Sequence, residues 1–150
     1  MVKRKVHIIY WRYLYFDGSV RFIGGIETYL HHLGQLIVDL GYQPVIFQCA
    51  YHDFKVSIGD VDVRGVKVSN PGSFEAFKDE HLKYLYEKSM VGLDPRTDLV
   101  IFATDDASLE TGEVTSISIQ HGISWDRPIR LMTNKKLLSW GLGENLRRWM

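Results

Sequence analysis

The feature that most constrains this chain is a change of hydrophobic period, and a return to the first period, within its N-terminal third. Val6-His7-Ile8-Ile9-Tyr10-Trp11 is a nearly continuous apolar run rich in β-branched and aromatic side chains, the pattern of a strand covered on both faces. Over residues 25–40 the apolar positions Ile26, Tyr29, Leu30, Leu33, Leu36, Ile37 and Leu40 recur at three- and four-residue steps, with His31, His32, Gln35 and Asp39 between them. That spacing predicts an amphipathic helix, and Gly41 stands where its C-terminal cap is expected. Pro44-Val45-Ile46-Phe47-Gln48-Cys49 then restores the strand pattern. Strand, helix and strand in a unit of this size form a crossover, which makes the two strands parallel.

From 54 to 70 the pattern differs. Val56, Ile58, Val61, Val63, Val66 and Val68 mostly alternate with polar residues and are broken by Gly59-Asp60 and Gly65, which predicts short, half-exposed edge strands. Ser73, after Pro71-Gly72, is a predicted N-cap for a helix whose apolar side carries Phe74, Phe77, Leu82, Leu85 and Met90, and Pro95 closes that region. Asp98-Leu99-Val100-Ile101-Phe102-Ala103 and Ser116-Ile117-Ser118-Ile119-Gln120 predict two further strands, each running into polar residues at its C-terminal end. From Leu131 the Leu and Trp spacing is helical, and no repeat, low-complexity tract or interdomain linker is present. The expected fold class is α/β: a single Rossmann-like domain over residues 1–150, a parallel sheet with helices on both faces. At 150 residues and 45% hydrophobic content the chain suffices for one core and is short for a two-domain enzyme.

Composition narrows the partners. Lys+Arg and Asp+Glu are both 18, so no net field draws the chain toward nucleic acid, and no nucleic-acid partner is expected. The one cysteine, Cys49, has no partner for an internal disulfide and lies in an apolar run, where a small buried thiol is expected. Lys3-Arg4-Lys5 before an apolar run resembles a signal-peptide start, but Arg12 and Asp17 interrupt the run and no small-residue cleavage site follows. No segment approaches the roughly 20 apolar residues of a membrane span. The expectation is a cytoplasmic chain, with association at the cytoplasmic face of a membrane, and assembly into a homo-oligomer, both left open.

In an open parallel sheet, ligands bind in the crevice beyond the carboxyl ends of the strands. That rule selects the loop over residues 12–25, the Thr104-Asp105-Asp106 segment, and His121-Gly122-Ile123-Ser124-Trp125-Asp126. Gly24-Gly25 sits where a loop meets a helix N-terminus, so backbone amides there can approach a phosphate closely, although a plain turn into the helix explains the glycines equally well. G-x-G-x-x-G is absent, which argues against a dinucleotide cofactor. His121 directly follows a strand and can donate to or accept from a sugar hydroxyl. Trp125 offers an apolar face to a sugar ring or fills a core, and Asp126 can hold hydroxyls. Asp105 and Asp106 form a carboxylate pair, or Asp106 caps the helix starting at Ala107. No histidine or carboxylate stands at zinc-ligand spacing, and the G-x-S-x-G and G-x-x-x-x-G-K-[ST] motifs are missing.

Gly24-Gly25-Ile26-Glu27-Thr28-Tyr29-Leu30, then Leu33-Gly34 and Leu36 through Leu40-Gly41-Tyr42-Gln43-Pro44-Val45, resembles the opening of family 4 retaining glycosyltransferases. There a GG-x-E helix is followed by a Gly-His step and a strand, with Tyr42-Gln43 in place of that step here. Asp98-Leu99-Val100-Ile101 and the segment from Ser118 to Asp126 are similar to that family's fourth strand and its "HG" loop. The resemblance implies a GT-B architecture with two Rossmann-like domains facing one cleft, this chain being the N-terminal, acceptor-side half. The donor-binding C-terminal domain, with its E-x7-E motif, is then expected beyond Met150, and this half alone is expected to be inactive. It further implies transfer of a sugar from a nucleotide-sugar donor to a glycan or other hydroxyl acceptor with retention, without a bound metal or other cofactor. The candidate catalytic residues are His121 and Asp126. Gly24, Gly25 and Gly122 are the candidate diphosphate-binding residues; Trp125, Asp105, Asp106 and Glu27 are the candidate acceptor- and sugar-binding ones. The competing readings are a non-catalytic sugar- or nucleotide-binding module and a Rossmann-type oxidoreductase.

Overall fold

The computed structural model describes residues 4–20, 24–104 and 108–119. Six strands form one sheet in the order β3-β4-β2-β1-β5-β6: β1 is Lys5–Ile9, β2 Gln43–Ala50, β3 Phe54–Ile58, β4 Val61–Lys67, β5 Leu99–Phe102 and β6 Thr115–Ser118. All neighbours pair parallel except β3, which returns antiparallel along β4 at the sheet edge. This is a mixed α/β fold with a mostly parallel sheet, compatible with a Rossmann-like arrangement.

The continuous apolar runs of β1 and β2 are explained by cover on both faces. Val6, Ile8, Ile46, Val61, Val63 and Ile101 pack under α1 (Gly25–Asp39), with Leu30 and Ile37 of that helix. Ile9, Val45, Phe47, Cys49, Val100 and Phe102 face a second helical layer through Phe77, Leu82 and Leu85. Each of these side chains, fully buried, contributes about 1.5–3 kcal/mol relative to exposure. Gly34 lets α1 come close, because a Cβ there would stand 2.8 Å from Val61 Cγ2. The helix ends where the glycine signal places it: Gly41 takes φ +84°, and the amides of Gly41 and Tyr42 donate to the carbonyls of Val38 and Ile37. That is the Schellman closure of the last turn.

The structure differs from the sequence reading at β4. The valine alternation predicted an edge strand, yet β4 is interior, paired parallel with β2 on one side and antiparallel with β3 on the other. An interior strand at the flank of a sheet can still have one polar face, and periodicity reports the faces rather than the number of neighbours.

The second layer begins with Ser73, whose hydroxyl accepts from Ala76 N–H at 3.2 Å. α2 (Phe74–Ala76) and α3 (Leu82–Ser89) are joined by a π-wound turn, Phe77–His81, in which Leu82 N–H donates to the Phe77 carbonyl five residues back. Phe77 and Leu82 are five positions apart, a step that would put them on different sides of an α-helix. The widened turn brings both into the core. His81 is buried in that turn with both ring nitrogens unpartnered.

Two buried ionisable groups sit where β1 meets its neighbours. His7 lies beside the Phe47 ring, 5.0 Å between centroids. Burial drives its pKa down to about 4 against a partial counter-effect from the Ser89 backbone, and Nδ1 has no partner. Burial pushes the Asp98 carboxyl upward, but hydrogen bonds from Lys5 N–H, Asp94 N–H and Thr97 outweigh it and hold it below its ordinary value. For His7 the folded state keeps the neutral ring while the unfolded chain takes up a proton below pH 6.5. Stability is therefore full above that value and falls between pH 6.5 and about 4, by roughly 3 kcal/mol for a shift of this size. The Asp98 contribution is lost at still lower pH, as the carboxyl takes its proton in the fold. Urea unfolding of the native chain and of His7→Leu from pH 7 down to about 2 checks this: the variant should lose the upper window and keep the lower one.

Candidate functional site

In the parallel part of the sheet, β1, β2, β5 and β6 end at one edge, since Ile9 is in register with Phe47 and Phe102, and Phe102 with Ser118. The chain leaves β1 toward β2 on one side and returns to β5 on the other. That reversal opens a crevice beyond the ends of β1 and β5, where ligands of such sheets bind.

The segment after β1 is held over this edge by one side chain. Gln48 of β2 is fully buried, and its Oε1 accepts from Tyr13 N–H at 3.0 Å and Leu14 N–H at 2.6 Å. Its Nε2 faces the carbonyls of Leu14, Tyr15 and Cys49 at 3.2–3.3 Å. Tyr13 and Leu14 are thereby buried side chains on a non-strand backbone. Burial raises the Tyr13 phenol to about 12, and its hydroxyl lies 3.3 Å from His31 Nδ1 on α1. Asp17-Gly18-Ser19 then turns the chain, with Gly18 at φ +88° and Asp17 Oδ1 accepting from Ser19 N–H and Oγ.

The turn into α1 follows. Gly24 has extended backbone angles that any residue adopts, and a Cβ there would meet only the carboxylate end of the flexible Glu27 side chain, so neither backbone nor space demands the glycine. Gly25 is exposed, with open space where a side chain would stand. The first-turn amides of a helix have no intrahelical acceptor, and Gly24 brings no capping side chain. Glu27 is the acid of that first turn. Its carboxylate lies at the positive end of the helix dipole, the place an incoming anion would take. Among the sequence-predicted site residues, Gly24, Gly25 and Glu27 are therefore together. His121, Gly122, Trp125, Asp126, Asp105 and Asp106 lie outside the described residues. The strands that lead into them, β5 and β6, end at the same edge as β1.

Sequence reasoning missed an aromatic surface at this edge. Trp11 lies 5.2 Å from Phe74 and 6.0 Å from Phe16 between ring centroids, and Phe16 lies 5.8 Å from Tyr51. The exposed Arg12 guanidinium is 5.7 Å above Trp11 and 5.8 Å from Phe16, and Trp11 Nε1–H is fixed on the Pro71 carbonyl at 2.8 Å. Tyr51 and Phe74 remain partly open to solvent. Such a surface offers π-faces and a cation beside the ends of β1 and β2, suited to the flat apolar side of a ring. Trp11-Arg12 at the end of a predicted strand is the signal by which it could have been found. Cys49 is buried and its thiol is pushed up to about 12 by burial, which keeps it unreactive.

Among the described residues no group of His, Cys, Asp and Glu is arranged to hold a metal ion, and no helix is long and apolar enough to cross a membrane. No family model, curated protein or solved structure matches the chain.

If Gln48 anchors the site loop, Gln48→Ala leaves two buried amides and two buried carbonyls to find new partners, a loss of about 3 kcal/mol. Chemical denaturation measures it. A loss under about 1 kcal/mol would mean that the loop is held by its buried side chains instead.

Proposed function

We propose that this chain is the acceptor-side, Rossmann-like domain of a retaining GT-B glycosyltransferase, transferring a sugar from a nucleotide-sugar donor to a glycan or other hydroxyl acceptor. The observation that best supports this reading is the Gly24-Gly25 turn: an uncapped helix N-terminus after β1, in a sheet whose strand order reverses between β1 and β5. Such a place favours a diphosphate, whose oxygens take the amide protons and whose charge meets the helix dipole. Glu27 must swing aside to admit it. The Trp11, Phe16, Tyr51 and Phe74 surface, with Arg12, offers an acceptor a stacking face at the same carboxyl edge of the sheet.

In the proposed reaction the acceptor hydroxyl attacks the anomeric carbon, the bond from that carbon to the donor phosphate oxygen breaks, and the departing diphosphate takes the hydroxyl proton. The turn amides stabilise the charge that grows on the diphosphate. In this reading His121 and Asp126 are the catalytic residues at the transferred sugar, Gly122 gives backbone room for the diphosphate, Trp125 offers an apolar face to a sugar ring, and Asp105 and Asp106 hold sugar hydroxyls. A second domain carrying paired glutamates holds the ribose and completes the site. No metal or cofactor enters this scheme, and it places the enzyme in the cytoplasm.

Titration with uridine diphosphate, followed by amide NMR, tests the anion site directly. Saturable shifts over residues 24–28 are expected, and Glu27→Gln should tighten binding about threefold to fivefold by removing the competing carboxylate. Shifts confined to other regions, or none, would end the reading. In an enzyme that also contains the second domain, His121→Ala should lower turnover about a hundredfold, and unchanged turnover would remove the role given to that imidazole.

A further inference from the structure

The sheet carries a second concavity, away from the carboxyl edge. On the face covered by α3, a groove of about 490 Å³ lies beyond the flank of that helix, over β2, β4 and β3. Phe47, Gly65 and Val66 line its floor, Val91 adds apolar surface, and Lys55, Arg64 and Lys88 bring three cations to it.

The register makes two of these cations unusual. Lys55 of β3 and Arg64 of β4 are direct cross-strand partners in the antiparallel pair, so both side chains leave the same face about 5 Å apart at Cβ. Like charges directly opposite destabilise a sheet. Nothing among the described residues relieves them by an ion pair: Asp53, the one carboxylate in the lining, accepts the Lys67 N–H at 2.7 Å. Asp62, next along the same face, is taken by Ser57 Oγ at 2.8 Å and Gln43 Nε2 at 3.2 Å. The Arg64 guanidinium instead lies 5.5 Å over the Phe47 ring, and the Lys88 ammonium 5.2 Å over Tyr84. A like-charged pair above an apolar floor, with the nearby carboxylates hydrogen-bonded elsewhere rather than in ion-pair contact with it, leaves a place where an anion can bridge the two cations.

We propose that this groove binds a small organic anion: an acid group, carboxylate or phosphate, seated between Lys55 and Arg64, on an apolar body lying against Phe47 and Val66. The volume suits such a ligand, since small-molecule sites span roughly 300–1,000 Å³ and combine apolar walls with a few placed charges. The anion converts the Lys55–Arg64 repulsion into two charge-assisted contacts. The site is separate from the Gly24 turn and does not depend on the glycosyltransferase reading.

Phenyl phosphate, benzoate, inorganic phosphate and neutral benzyl alcohol, titrated separately into the chain and followed by amide NMR, test it. Saturable shifts at Lys55, Gly65 and Val66 are expected for the two aromatic anions at concentrations below about 10 mM, with inorganic phosphate and benzyl alcohol each weaker. The better of the two aromatic anions identifies the acid group. Lys55→Gln, at an exposed position, should weaken phenyl phosphate about tenfold. The same substitution should raise the urea midpoint of the unliganded chain, because the repulsion goes with the charge. Absence of saturable shifts in that range, shifts appearing only at residues 24–28, or unchanged affinity in Lys55→Gln would each overturn the proposal.

Discussion

The buried amide of Gln48 is the contact on which the arrangement of the carboxyl edge depends. A loop crossing the end of a parallel sheet exposes backbone groups that no ladder satisfies, and burying them unpaired costs about as much as several ordinary hydrogen bonds contribute. Gln48 meets this with one carbonyl and one amide group, holding Tyr13 and Leu14 down from the middle of a strand that is otherwise apolar. With that segment fixed, Tyr13 reaches His31 of α1, Trp11 packs against Phe16, and Phe16 against Tyr51. The Tyr13–His31 contact and the aromatic surface thus share one support.

The two faces of the sheet divide the energetics. Beneath α1 the cover is apolar throughout, reaching β4 through Val61 and Val63. Beneath α3 it is apolar over β1, β5, β2 and Val66 of β4, and gives way to charge over the rest of the β3–β4 hairpin. The valine alternation encodes this split: Val61 and Val63 go to one side, Asp62 and Arg64 to the other. A flank dressed in this way resists pairing and stacking with other sheets, as exposed strands in soluble proteins must.

Much of the fold was readable from local chemistry. The β1–α1–β2 unit, the Gly41 stop and the Ser73 cap follow from periods and capping rules that act within a few residues. The interior position of β4 was not readable, because pairing partners are chosen between distant segments. Nor was the role of Gln48, since a lone amide in a strand acquires meaning only from the loop backbone lying across it. At the site, Gly24 and Gly25 were found by their place before a helix. The aromatic surface escaped notice because its members, Trp11, Phe16, Tyr51 and Phe74, come from separate loops and strand ends.

The π-wound turn between α2 and α3 has a consequence for how this chain tolerates change in length. It stores one residue more than an α-helical turn of the same span needs. Shortening the helical segment there by a single position would let it rewind as continuous α-helix with Phe77 and Leu82 four apart and still on one face, whereas rewinding it without a deletion would rotate all that follows by about 100°. Leu82 and Leu85 would then turn from the sheet toward water. The bulge is a phase-setting element, and its length, more than the identity of the residues within it, governs which side of α3 meets the sheet.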